Sequence, residues 1–303
     1  MIFREAQLPP AQRIAHGKAL LTMAFWGQMI PIYAVLLQSF DPITLSLLRY
    51  IIGAPIIVLL AIAWRALLPL PDLSDTLRLI FLAWFGMAGL VILSTVGLAL
   101  SDPVTAIFVT AAAPLIHTLI AVMAYGERML KGSILALALA IAGMFLISLD
   151  SGGVSNAGFR GGEILLLGAS VCWAWYSLQA RRWFPRTSSL RLTTYSMVAC
   201  LPFLFLVWFF AFSFELLQVP DSAPSSVSLF FLFWVVITGT CIGVMLWHGA
   251  MYVLGGAVMA IYLALAPLFG VAIGLFFGFF PSILQIFGGF LIIVAVLRVR
   301  AAS

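Results

Sequence analysis

Runs of about twenty consecutive apolar residues, separated by short polar turns, follow one another along the whole chain. Ten such segments can be marked, at about 18–38, 42–64, 77–100, 103–125, 132–149, 162–183, 191–213, 228–249, 255–277 and 281–298. Most are long enough to cross the hydrocarbon core of a bilayer as a helix. The breakers between them are SFDP, LPLPDLSD, SDP, GERMLKG, DSGGVSNAGFRGG, RRWFPRTSS, QVPDSAPSS, LGG and FGFFP. Because the segments are continuously apolar and far longer than a barrel strand, helices are the expected spanning element. The first segment is of near-spanning length and has no small-x-small site before Asp41, so it is expected to be a retained span rather than a leader.

Composition agrees. Of 303 residues, 64% are hydrophobic and 8% charged, with a mean hydropathy of +1.19. Soluble domains carry about a quarter charged residues, so the expected solvent is lipid. The sequence pI of about 9.4 then reflects basic loops, and nucleic acid is not an expected partner. With the N-terminus placed in the cytoplasm, thirteen lysines and arginines fall inside, Arg160 falls outside, and Arg49 lies within a span. This bias places both termini in the cytoplasm. Cys172, Cys200 and Cys241 lie in apolar segments without paired spacing and read as packing residues.

The chain also repeats itself. Trp26-Gly27 is matched by Trp173-Ala174 and Pro55 by Pro202, both at an offset of 147. Gly86 is matched by Gly239, and Ala113-Pro114-Leu115 by Ala266-Pro267-Leu268, both at 153. One insertion at QVPDSAPSS reconciles the two offsets. Five spans per half would set the halves upside down relative to each other, an arrangement recurrent in secondary transporters. The expected fold is an all-α integral membrane protein of ten transmembrane helices in two inverted five-helix repeats. A cytoplasmic segment 1–17 precedes the first repeat at 18–149, and an external linker 150–161 joins it to the second at 162–300.

The motifs FWG at 25–27, Pro42 followed by LLRY at 47–50, the AAAP to YGER run from 111 to 128, CWAWYSLQARR at 172–182 and AIYLALAP at 260–267 occur in that order. On these the chain resembles the EamA family of the drug/metabolite transporter superfamily, and within it the YddG-like aromatic amino acid exporters. FFGFFPS at 276–282 lacks the Gly-Glu pair kept at Gly126-Glu127. The resemblance implies a ten-helix alternating-access carrier in a bacterial inner membrane that moves amino acids or related metabolites out of the cytoplasm.

The residues suggest a cavity. Trp173 and Tyr176 share a helix face by their spacing, on a helix that the repeat pairs with Trp26. Trp26, Trp173, Tyr176, Phe108 and Tyr262 are expected to line a cavity suited to aromatic and apolar side chains. Ser94, Thr95 and Thr110 are expected to meet the ammonium and carboxylate. Pro114 removes an amide donor and should kink or loosen segment 4, and Pro267 does the same in segment 9, so the two are candidate paired hinges. The hydroxyl of Thr110, a neighbouring helix or water are the candidate partners for the carbonyl that Pro114 frees. His117, one turn beyond Pro114, has no counterpart in the second half, where Gly270 stands; a buried hydrogen bond is its expected role, with proton sensing the alternative. Arg49 reads either as a partner for a substrate carboxylate or as a structural arginine held by a neighbouring helix or the headgroups. The latter is preferred, because the resemblance makes segment 2 peripheral. Rows of small residues, Gly270, Gly274 and Gly278 with Gly239 and Gly243, suit close helix contact in gating, static packing or a homodimer.

All ten Asp and Glu residues fall outside the segments or at their ends. Intramembrane carboxylates are the usual proton relays, so facilitated diffusion is expected over proton antiport, which His117 keeps as the alternative. No HExxH, GxSxG or P-loop is present, and neither metal nor cofactor is expected. An integral-membrane transferase on lipid-linked substrates is the alternative of a different class, and it would need ionisable residues gathered at one membrane face. A channel filter is not apparent. A phosphorylated substrate would need several cavity cations, and Arg49 is the one candidate.

Overall fold

The computed structural model of the chain describes residues 9–68, 70–126, 135, 138–139, 142–143, 146, 161–217 and 223–301. Among these every regular element is helical. Most of the expected fifth segment, the linker 150–160 and Glu127 lie outside the described residues, as do Arg4, Arg128, Lys131 and Arg160 of the charge count.

The first half comprises α1 (Pro10–Gly27), α2 (Met29–Leu36), α3 (Pro42–Ala63), α4 (Leu73–Phe81), a π-helical stretch Leu82–Ala88, α5 (Gly89–Ala99), α6 (Pro103–Thr110) and α7 (Ala113–Tyr125). The second comprises α8 (Gly162–Trp183), α9 (Ser189–Ser213), α10 (Ser226–Val235), a π-helical stretch Val236–Gly243, α11 (Val244–Leu263), α12 (Ala266–Phe276) and α13 (Ile283–Ala301). Among the described residues, six helical runs are long and apolar enough to cross a membrane: Pro10–Leu36, Pro42–Ala63, Leu73–Ala99, Pro103–Tyr125, Ser189–Ser213 and Ser226–Gly256. Gly162–Trp183 is as long but carries Glu163, Gln179, Arg181 and Arg182. Ala266–Phe276 and Ile283–Val294 are apolar and shorter.

The acids that the apolar pattern left between segments begin helices. Asp41 accepts from the amides of Ile43 and Thr44, and Asp102 from that of Val104, each followed by proline in the first turn. Aspartate as N-cap with proline just inside the helix satisfies donors that the helix cannot. The first helix starts at Pro10, eight residues before the expected span, with proline in its first turn and no side-chain cap. At the LGG turn the helix kinks at Gly255, whose φ of 80° suits glycine, with helical backbone on both sides.

The paired prolines sit in breaks rather than kinks. Helix α6 stops at Thr110, residues 111–112 form a turn, and Pro114 is the second residue of α7. Likewise α11 stops at Leu263, residues 264–265 turn, and Pro267 is the second residue of α12. A proline there loses no hydrogen bond, so each residue starts a new half-helix instead of straining an old one. The other matched positions also share local structure. Pro55 and Pro202 lie inside α3 and α9, and Gly86 and Gly239 lie in the two π-helical stretches.

Helix α5 packs on α8, α1 on α11, and α3 on α9. Small residues set the closest approaches. Gly86 lies against the ring of Tyr176, Gly239 against Met29, and Gly27 against the backbone of Ala266 and Gly270. In the fifth segment, Gly143 meets the carbonyl of Gly288 and the side chain of Ile292 in α13. Outward faces remain apolar, as lipid contact requires: Leu59, Phe85, Phe230 and Phe287 are all exposed.

Candidate substrate cavity

Between the helices of the two halves lies a cavity of about 210 Å³, small beside the roughly 300–1,000 Å³ of drug-sized pockets. Its wall is mainly apolar. Trp26, Ile30 and Tyr33 come from α1 and α2, Ser94 and Leu98 from α5, and Trp173 and Ser170 from α8. Ile107, Thr110, Ala113 and His117 line it across the first break, and Leu263, Ala266, Pro267 and Gly270 across the second. Both broken helices therefore present their interruptions to the same space, where irregular backbone at membrane depth is tolerated.

An aromatic cluster forms the inner wall. The rings of Trp26 and Trp173 meet edge to face at 5.1 Å, and Trp247 contacts them at 5.1 and 5.6 Å. Contacts of this kind add about 0.5–1.5 kcal/mol beyond burial. Trp26 donates its indole proton to the Gly239 carbonyl at 3.1 Å. The indole nitrogen of Trp173 is buried and has no hydrogen-bond partner among the described residues.

Beneath that cluster, nearer the chain's N-terminus, polar pairs tie the helices together. Trp247 Nε1 donates to Ser177 Oγ at 3.2 Å, and Tyr176 OH to Ser196 Oγ at 3.0 Å. Thr193 Oγ1 and His248 Nδ1 lie 2.9 Å apart, and His16 Nδ1 and Tyr262 OH 2.8 Å. The lining residues Tyr33, Arg49, Leu98 and Leu166 lie instead toward the ends of their spans marked by the turns at 37–41 and 100–102.

The expected site residues divide accordingly. Trp26, Ser94, Thr110 and Trp173 line the cavity, with Pro267, His117 and Arg49. Four others do not. Thr95 is fully buried, 2.5 Å from Ser46 Oγ and bonded to the Val91 carbonyl. Phe108 turns away to pack with Val104 and Ile292 and against Gly289. Tyr176 stacks behind Trp173 at 5.3 Å, and Tyr262 faces His16. Pro114 is buried but off the wall. The Thr110 hydroxyl donates to the Ile107 carbonyl, one turn from the carbonyl it was expected to meet. His117 is buried with Nε2 unpartnered among the described residues, its ring 6.2 Å from Trp247. Replacing Tyr176 by phenylalanine should keep the stack and lose one buried bond. We expect thermal unfolding in detergent to register a loss of about 0.5–1.5 kcal/mol, with transport retained.

Arg49 is held by a neighbouring helix, as expected of a structural arginine, but it is interior rather than peripheral. It is 5% exposed and lines the cavity. Its Nε and Nη2 donate to Thr240 Oγ1 at 3.4 and 3.1 Å, and its Cζ lies 4.8 Å from the Tyr33 ring centroid. Tyr33 and Thr240, both on the wall, were not anticipated; Tyr33 lies two turns from Trp26 on one face, a spacing visible in the sequence.

Apolar helices of spanning length around an internal cavity define a multi-pass membrane protein. The chain belongs to the EamA-like transporter family, whose model matches residues 14–149 and 160–300. It is 23% identical over 263 residues to the uncharacterized transporter YyaM of Bacillus subtilis (strain 168), covering 85% of this chain and 84% of that protein. A solved crystal structure, described only as that of a protein, shares the fold at a TM-score of 0.69 and 20% identity, over 95% of this chain and 99% of the other. The family and the relative are transporters, not enzymes.

Proposed function

We propose that the protein is an alternating-access carrier of the YddG-like kind that exports aromatic and hydrophobic amino acids by facilitated diffusion. The observation that carries this reading is the apolar cavity crossed by Trp26 and Trp173, matched residues of the two halves in edge-to-face contact. The halves 18–149 and 162–300 act as inverted repeats of five spans each, with the linker 150–161 outside and both termini in the cytoplasm of a bacterial inner membrane. Two features support the inversion: the matched breaks before Pro114 and Pro267, and the pairing of α1 with α11 as of α8 with α5. The breaks serve as hinges. Among the described residues no carboxylate lines the cavity, which supports uncoupled transport. The coupled reading would run through His117.

Purified protein in liposomes should carry phenylalanine and leucine down their gradients, and glutamate and putrescine poorly. Transport of none of the amino acids would overturn the substrate reading, and accumulation driven by a pH gradient would overturn the uncoupled one. Reporter fusions within 150–160 should report an external location. A cytoplasmic signal there would overturn orientation and inversion together.

A further inference from the structure

Arg49 carries the one full charge on the described cavity wall, and no carboxylate lines that wall among the described residues. Buried two turns into α3, an ionised side chain is costly to place in an apolar span, so its position calls for a reason. Its protein partners are neutral: the Thr240 hydroxyl takes Nε and one Nη2 proton, and the face of Tyr33 lies against the guanidinium. A guanidinium has five N–H donors. The three that remain, on Nη1 and Nη2, have no acceptor among the described residues. They form the edge that binds a carboxylate through two parallel hydrogen bonds. Nearby, Tyr33 OH is buried and likewise unpartnered.

The wall is not symmetric toward the other end of an amino acid. Ser94, Thr110 and Ser170 line the cavity, but each hydroxyl proton goes to a carbonyl of its own helix, of Val91, Ile107 and Leu166 respectively. Their oxygens can accept from an ammonium but supply no charge. From this we propose that Arg49 anchors the substrate carboxylate and determines specificity. The ligand class is small monocarboxylates with an apolar or aromatic body, and the amine is dispensable. This deepens the amino acid carrier reading and rests on it.

Four probes of matched shape separate the groups: L-phenylalanine, 3-phenylpropionate, L-phenylalaninamide and 2-phenylethylamine, titrated by calorimetry into the full-length protein in detergent. We expect phenylalanine and phenylpropionate to bind within about tenfold of each other, and the amide and amine at least 100-fold more weakly. Arg49→Gln should lose at least 100-fold for both acids, while Arg49→Lys, which keeps the charge but not the two-pronged edge, should recover only part of that loss. The comparison in the unmodified protein stands even if Arg49→Gln fails to fold. Equal binding of the amide and phenylalanine would overturn the anchor. So would tight phenylalanine binding with none of phenylpropionate. Leucine and phenylalanine flux in liposomes alongside either result would leave the carrier reading intact. Absence of both binding and flux would remove the two together.

Discussion

Gly27→Val abolishes transport and lowers the thermal midpoint: that is the expected result at the crossing of α1 and α12. A Cβ on Gly27 would lie 2.4 Å from the Ala266 carbonyl oxygen and 2.5 Å from Phe269 Cβ. Both atoms are fixed to the half-helix that begins at the second break, so no rotamer change relieves the clash. Overpacking of this kind costs about 1–3 kcal/mol. Gly27, Ala266 and Gly270 also line the cavity, so separating the helices deforms the wall. Gly17→Ala is the control, since nothing lies within 4 Å of that position. Liposome flux and thermal unfolding of both variants test the expectation. An active Gly27→Val protein would show that this contact opens freely.

Trp173→Ala is the second large effect. Large-to-alanine changes at buried aromatics cost about 3–5 kcal/mol, and Trp173 touches Trp26, Tyr176 and Trp247 at once. Flux of phenylalanine should fall more than tenfold, with a lowered thermal midpoint, and Trp173→Phe should recover part of both. Trp64→Ala should change neither, because that indole is 66% exposed at the end of α3. Unchanged flux in Trp173→Ala would place the substrate elsewhere.

The helices were legible because lipid allows a simple rule, and the breaks because a missing amide is written in the residue itself. The cavity was legible where one residue type served both halves, as with Trp26 and Trp173. Errors came from rotation about a helix. Phe108 and Thr110 are two residues apart, hence about 200° around the axis, and cannot both face one space. Thr110 shares its face with Ile107, and Phe108 faces α13 instead. Ser94 and Thr95 are about 100° apart; Val91, Ser94 and Leu98 make the lining face and Thr95 turns toward Ser46. Arg49 was set aside for a different reason. Its environment depends on Thr240, which the packing of α3 against the second π-helical stretch brings near, and on Tyr33 of α2.

Trp26 donates its indole proton to the Gly239 carbonyl, whereas the indole of Trp173 donates to nothing in the described structure. Under the proposed inversion the position corresponding to Gly239 is Gly86. A half-for-half exchange would release one indole and engage the other, leaving the number of such bonds unchanged. The two end states would then be degenerate in this contact, and neither would become an energetic trap for the empty carrier. This contact would give the empty carrier no preference for facing either side of the membrane.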